Sequence, residues 1–144
     1  MIEWEAAGDE VRRVTPDPAM ARALAAMTDV RLRALSKVGT GPFTSILVEQ
    51  HYEAIKELIT ALMAANGWKT YSHEVLVGYL KHFYKEFTEA EIALVDQLRK
   101  LRNDISYRGV AVNPEYWERN KSAAAAVITK LKAVLEKRLK AGRP

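Results

Sequence analysis

The 144-residue sequence contains no cysteine, so it has no disulfide framework, thiolate metal site or cysteine nucleophile. That composition fits an intracellular protein and makes a zinc site an unattractive reading. Long apolar runs are also missing: nothing approaches the ~20 consecutive apolar residues needed to cross a bilayer. The opening Met1-Ile2-Glu3-Trp4-Glu5 is too acidic and polar for a signal peptide. A soluble, cytoplasmic protein with no membrane partner is expected. Glycine and proline are few, and strand-like alternation, internal repeats and low-complexity linkers are absent, which argues against a β architecture.

What is present is hydrophobic residues at helical spacing, 49% of the chain, enough for one ordinary core. Residues 1–15 lack periodicity and are expected to form a loosely attached arm, with residues 16–140 as one helical-bundle domain and 141–144 as a basic tail. Asp17-Pro18 is an N-cap followed by a proline at the first helical position, where its missing N–H costs nothing. Met20, Leu24, Met27 and Leu35 give that first helix an apolar stripe, and Gly39-Thr40-Gly41-Pro42 ends it. A second helix is predicted over 45–66, with Ile55, Ile59, Leu62 and Met63 inward and Glu49, Lys56 and Glu57 outward, and Asn66-Gly67 closes it. Ser72 can cap a third helix containing Val75, Leu76, Tyr79, Leu80 and Phe83. Thr88-Glu89-Ala90-Glu91 is a capping box opening a fourth helix to about Tyr107, with Gly109 as its stop. Asn113-Pro114 opens a long fifth helix to about Lys140, whose Ala123 to Ala126 segment allows close helix approach. The expected fold is an all-α, mainly antiparallel bundle of four to five helices.

The unusual chemistry sits at the end of the fourth helix, Leu98 to Gly109. Its apolar positions Leu94, Leu98, Leu101 and Ile105 form one face. Arg99, Asn103 and Tyr107 fall on one neighbouring ridge, and Arg102 and Ser106 on the next. Arginines beside Asn and Tyr suit bidentate recognition of a phosphodiester. Arg99, Arg102, Ser106 and Arg108 are therefore candidate nucleic-acid-binding residues. The competing reading pairs Arg99 and Arg102 with acids such as Asp96 or Glu91. The formal charge of +4 is uneven: Lys130, Lys132, Lys137, Arg138, Lys140 and Arg143 face one acid, Glu136. A solvated helix face explains that tract better than a phosphate-binding surface does.

Other motifs carry less. His51, His73 and His82 lack metal-ligand spacing, and Ser72-His73-Glu74 cannot be a preassembled triad because adjacent helical residues do not share a face. Gly39-Thr40-Gly41 lacks the lysine and Ser/Thr of a phosphate loop. Glu49, Glu53 and Glu57 are better explained as surface acids paired with Lys56 than as metal-binding carboxylates, since no Glu-x-x-His accompanies them. No metal and no cofactor is expected.

The helix order, with Arg102-Asn103 near the end of the fourth helix and a long helix after it, resembles the HEPN domain family (higher eukaryotes and prokaryotes nucleotide-binding). The likeness covers roughly residues 18–138, and Tyr52-x-x-Ile55-Lys56-Glu57 and Ser72-His73-Glu74 add to it. The resemblance implies a homodimer whose fourth helices face one another. It implies binding of RNA or a nucleotide, metal-independent ribonuclease activity in many members, and a nucleotidyltransferase antitoxin as a partner class. On that pattern the catalytic positions are Arg102, Asn103 and Tyr107, where Arg102 holds the phosphate and Asn103 orients it. Tyr107 stands where the family usually has His. With an unperturbed pKa near ~10, tyrosine is handicapped as a general base at neutral pH by roughly 4 kcal/mol unless the arginines lower it. It can still donate a hydrogen bond or stack a base. The expectation is therefore a binding homodimer with weak or no nuclease activity. The alternatives are an active ribonuclease of toxin or defence type and a non-catalytic adaptor bundle.

Overall fold

The computed structural model describes residues 1–142 and consists of five α-helices with one small two-stranded sheet. The helices are α1 (Pro18–Leu35), α2 (Thr44–Asn66), α3 (His73–Phe83), α4 (Glu89–Arg108) and α5 (Pro114–Lys140). The strands are β1 (Val11–Arg13) and β2 (Trp68–Thr70). Arg143, counted with the basic tail, lies outside the described residues.

Helix α2 is the centre. Leu47, Val48, Tyr52, Ile55, Leu58, Ile59, Leu62 and Met63 are all buried, and α1, α3, α4 and α5 pack around it. Long-range polar pairs fix the directions. Thr28 meets Glu57 and Arg31 meets Gln50, so α1 runs antiparallel to α2. Arg102 meets Glu53 and Ser106 meets Glu49, so α4 is antiparallel to α2 as well. His51 packs on Trp117 and Arg138 reaches Asn66, which sets α5 parallel to α2.

The terminal signals operate as their chemistry requires. Asp17 accepts the Met20 N–H at 3.0 Å, and Asn113 accepts that of Glu115 at 2.9 Å. In the Thr88 box the hydroxyl takes the Glu91 N–H, while the Glu91 carboxylate takes the Thr88 N–H. Gly67 closes α2 at φ 78°, and a Cβ there would lie 2.7 Å from the Val14 carbonyl oxygen. Ser72 occupies the N-cap of α3, but its side chain makes no capping bond; its N–H instead donates to Thr70 Oγ1.

Four expectations change. Residues 1–15 are not loose. The Ile2 N–H donates to the Glu74 carbonyl, Trp4 packs on Trp68, Tyr79 and Phe83, and β1 pairs antiparallel with β2, placing Val11 opposite Thr70. Those partners lie 55 or more residues away in sequence, where local periodicity gives no sign of them. Met20 and Met27 of the α1 stripe are exposed, because α1 meets α2 through Ala21, Leu24, Thr28, Leu32 and Leu35. Glu49, Lys56 and Glu57 are half-buried rather than outward, since α1 and α4 flank α2 on both sides. Of the four consecutive alanines in α5 only Ala124 is buried.

Candidate nucleic-acid interface

Helix α4 is anchored to the core by Ile92, Val95 and Leu98, with Leu101 and Ile105 packed against it. Gly109, at φ 65°, closes it and leaves its last two turns at the surface. Those turns, with Arg99 on the turn before them, carry the residues singled out in the sequence, and the structure divides them into three environments.

Arg102, Asn103 and Tyr107 come together. The Arg102 side chain is 19% exposed. Its Nε donates to Glu53 Oε1 at 3.2 Å, while Nη1 reaches Tyr107 Oη at 3.3 Å and Asn103 Oδ1 at 3.5 Å. The guanidinium carbon is 5.6 Å from the centroid of the Tyr107 ring, within cation–π range. Tyr107 is 76% exposed, an unusually open position for a large aromatic. Glu53 holds Arg102 by one edge and receives Lys56 Nζ on its other oxygen at 2.6 Å. Burial works against the Glu53 charge, but the lysine, with Arg102 and His73, outweighs it and keeps the carboxyl below its usual range.

Arg99 is separate. It is almost fully buried, and its Nε pairs with Asp96 Oδ1 at 3.0 Å; Lys100 reaches the other oxygen of the same carboxylate at 3.2 Å. The competing ion-pair reading therefore holds for Arg99, with Asp96 as the acid, and in part for Arg102, whose acid is Glu53 on α2 rather than one on its own helix. Glu91 instead serves the capping box and Lys130. Ser106 and Arg108 lie on the rim. Ser106 Oγ donates to Glu49 Oε2 at 2.7 Å, and Arg108 pairs with Asp104 at 3.3 Å while remaining 72% exposed.

Glu53, Lys56 and His73 belong to the cluster although the sequence reading did not place them there. His73 opens α3, its ring 6.0 Å from that of Tyr52. Burial lowers its pKa, the charges of Lys56 and Arg102 add to that effect, and Glu53 opposes it. The imidazole therefore titrates below its ordinary range. The spacing of Glu49, Glu53 and Lys56 on α2 was the available signal, but only the packing of α4 on that ridge gives it this meaning.

Elsewhere the basic charges are largely engaged. Lys130 binds Glu91, Lys132 binds Asp29, Lys140 binds Glu136, and Arg138 binds the Asn66 side chain at the end of α2. A cavity of about 620 Å³, lined by Met20, Met63, Trp68 and Tyr71 among others, shares no residue with the Arg102 cluster, which is an open ridge. Among the described residues no group of three acids or histidines converges to hold a metal ion, and no helix is long and apolar enough to cross a membrane. No family model, curated protein or solved structure matches this chain.

Proposed function

We propose that the end of α4 binds single-stranded RNA or a nucleotide, with weak or no nuclease activity, in the manner of a non-catalytic HEPN-like protein. The observation that carries this reading is the Arg102–Tyr107 pair. Arg102 is held rigidly through Nε by Glu53, which directs the rest of its guanidinium toward an exposed aromatic ring. A phosphate can take the arginine while a base stacks on Tyr107, the combination that single-stranded nucleic acids favour. Asn103, Ser106 and Arg108 supply the polar rim. The pairing of fourth helices implied by the resemblance would rest on polar contacts, since Gln97, Lys100 and Asp104 are the neighbouring outward or half-open positions. A nucleotidyltransferase antitoxin remains the partner class that this reading carries with it.

His73 favours the ribonuclease alternative. An imidazole whose pKa burial and the charges of Lys56 and Arg102 hold below the ordinary range is a candidate proton acceptor. The deciding experiment uses purified protein with labelled single-stranded RNA in EDTA. Salt-dependent binding without cleavage is expected. Arg102→Ala should weaken it about tenfold and reduce the slope against log salt by roughly one. Cleavage in EDTA that is lost in both Arg102→Ala and His73→Gln would establish the ribonuclease. Absence of RNA or nucleotide binding by a folded protein would leave the adaptor reading.

A further inference from the structure

The cavity of about 620 Å³ beside the two-stranded ribbon lies within the ~300–1,000 Å³ of small-molecule sites. It forms where the link from β1 to α1 meets the last turns of α2, strand β2 and the start of α3. Met63, Ala64 and Leu76 line it from the buried core, Trp68 is half-buried beside them, and Met20 at its edge is 47% exposed. Methionines in the lining let its shape adjust to a guest. Most of its polar atoms are already engaged. Asp17 accepts the Met20 N–H, and Thr60 donates to the Lys56 carbonyl. Thr70 donates to the Glu10 carbonyl and accepts from the Ser72 N–H.

Lys69 is different. Its Nζ rests 5.0 Å from the centroid of the Tyr71 ring, which also lines the cavity and is 82% exposed. Directly across the ribbon from Lys69 stands Arg12, and like charges opposed on paired strands repel one another. Both are exposed, and neither belongs to an ion pair among the described residues. The Tyr71 phenol feels both cations: Lys69 lowers its pKa by hydrogen bonding and charge, and Arg12 adds to the effect. An apolar cavity is thus bordered by two adjacent positive charges without a counter-charge, while Asp17, the acid in its lining, is committed to capping α1. We propose that the cavity binds a small organic anion, with its apolar body against Met63, Ala64 and Trp68 and its acid group on Lys69 and Arg12. The ammonium has three donors to offer, and its stem can stay over Tyr71 while it does so. The anion would also relieve the repulsion across the ribbon. The site shares no residue with the Arg102 cluster and does not depend on the RNA-binding reading.

The test uses anilinonaphthalene sulfonate, an aromatic anion whose emission rises when it leaves water, and phenylnaphthylamine, the same rings without the acid. The folded protein should bind the sulfonate saturably. Lys69→Glu should weaken that binding about tenfold and leave the uncharged compound within about twofold. This substitution sets a carboxylate opposite Arg12, a favourable cross-strand pair, so the ribbon is kept; an unchanged far-UV spectrum and melting curve check it. Arg12→Glu should weaken the sulfonate by a smaller factor. Arg119→Glu makes the same change in net charge at an exposed position near the start of α5, and should leave both compounds within about twofold. The proposal is overturned if the folded protein shows no saturable binding, or if Lys69→Glu binds the sulfonate as tightly as the unmodified chain. Equal weakening by Arg119→Glu would reduce the effect to net charge and overturn it as well. So would an equal loss of both compounds in Lys69→Glu, since the acid group would then have no part in the contact.

Discussion

The first fifteen residues and helix α1 sit side by side in the sequence and differ in how they belong to the fold. The arm has two single 3-10 turns and a three-residue strand, yet it is inserted deeply. Ala7 is buried, Trp4 stands 4.9 Å from Trp68 and 5.1 Å from Phe83, and the Arg13 guanidinium lies 4.3 Å over the Trp68 ring. Helix α1 is regular over 18 residues and well capped, yet only Ala21 and Thr28 on it are buried. Regularity reports that the backbone satisfies its own hydrogen bonds. Integration reports how closely an element can approach its neighbours, and the arm approaches closely because α3 offers a glycine.

The comparison breaks most visibly at Trp4. Trp4→Ala removes the ring around which Trp68, Tyr79 and Phe83 are arranged, and should cost about 2–3 kcal/mol in urea unfolding, below the 3–5 of a fully buried aromatic because Trp4 is half-buried. Next is Gly78, the position on α3 that receives the arm. A Cβ there would lie 2.0 Å from the Ile2 carbonyl oxygen. In an open helix Gly→Ala is favourable by about 1 kcal/mol. Here Gly78→Ala should lose about 1–2 kcal/mol in urea unfolding and expose residues 1–10 to limited proteolysis, because the backbone of the arm must withdraw.

Smaller still is the joint between α1 and α2. Thr28 is fully buried, and its hydroxyl lies 2.8 Å from Glu57 and 3.0 Å from the Leu24 carbonyl. Thr28→Val keeps the shape and deletes the donor. Glu57 retains Arg31 at 3.1 Å, so the expected loss in thermal or urea unfolding is about 1 kcal/mol.

The same contrast separates what the residue order discloses from what it withholds. The starts of α1, α4 and α5 are legible at Asp17-Pro18, Thr88 to Glu91 and Asn113-Pro114, because a cap is a contact within four residues. The attachment of Trp4 is not, because its partners are brought to it only by the completed fold. The candidate site divides along the same line. Arg102, Asn103 and Tyr107 meet because they share neighbouring ridges of one helix. Glu53, Lys56 and His73 join them from α2 and α3, which no spacing within α4 can announce. Arg99 shares a ridge with Asn103 and still drops out, because Asp96, three residues earlier, takes its guanidinium into the interior.

The smallest expected effect is at Met27, which is exposed on the outer side of α1. Met27→Gln replaces one exposed side chain on a helix with another of similar length and good helix propensity, so the change in urea unfolding free energy should stay within about 0.5 kcal/mol. A loss as large as that at Trp4 would instead place Met27 in the packing of the single chain, making α1 as integral as the arm.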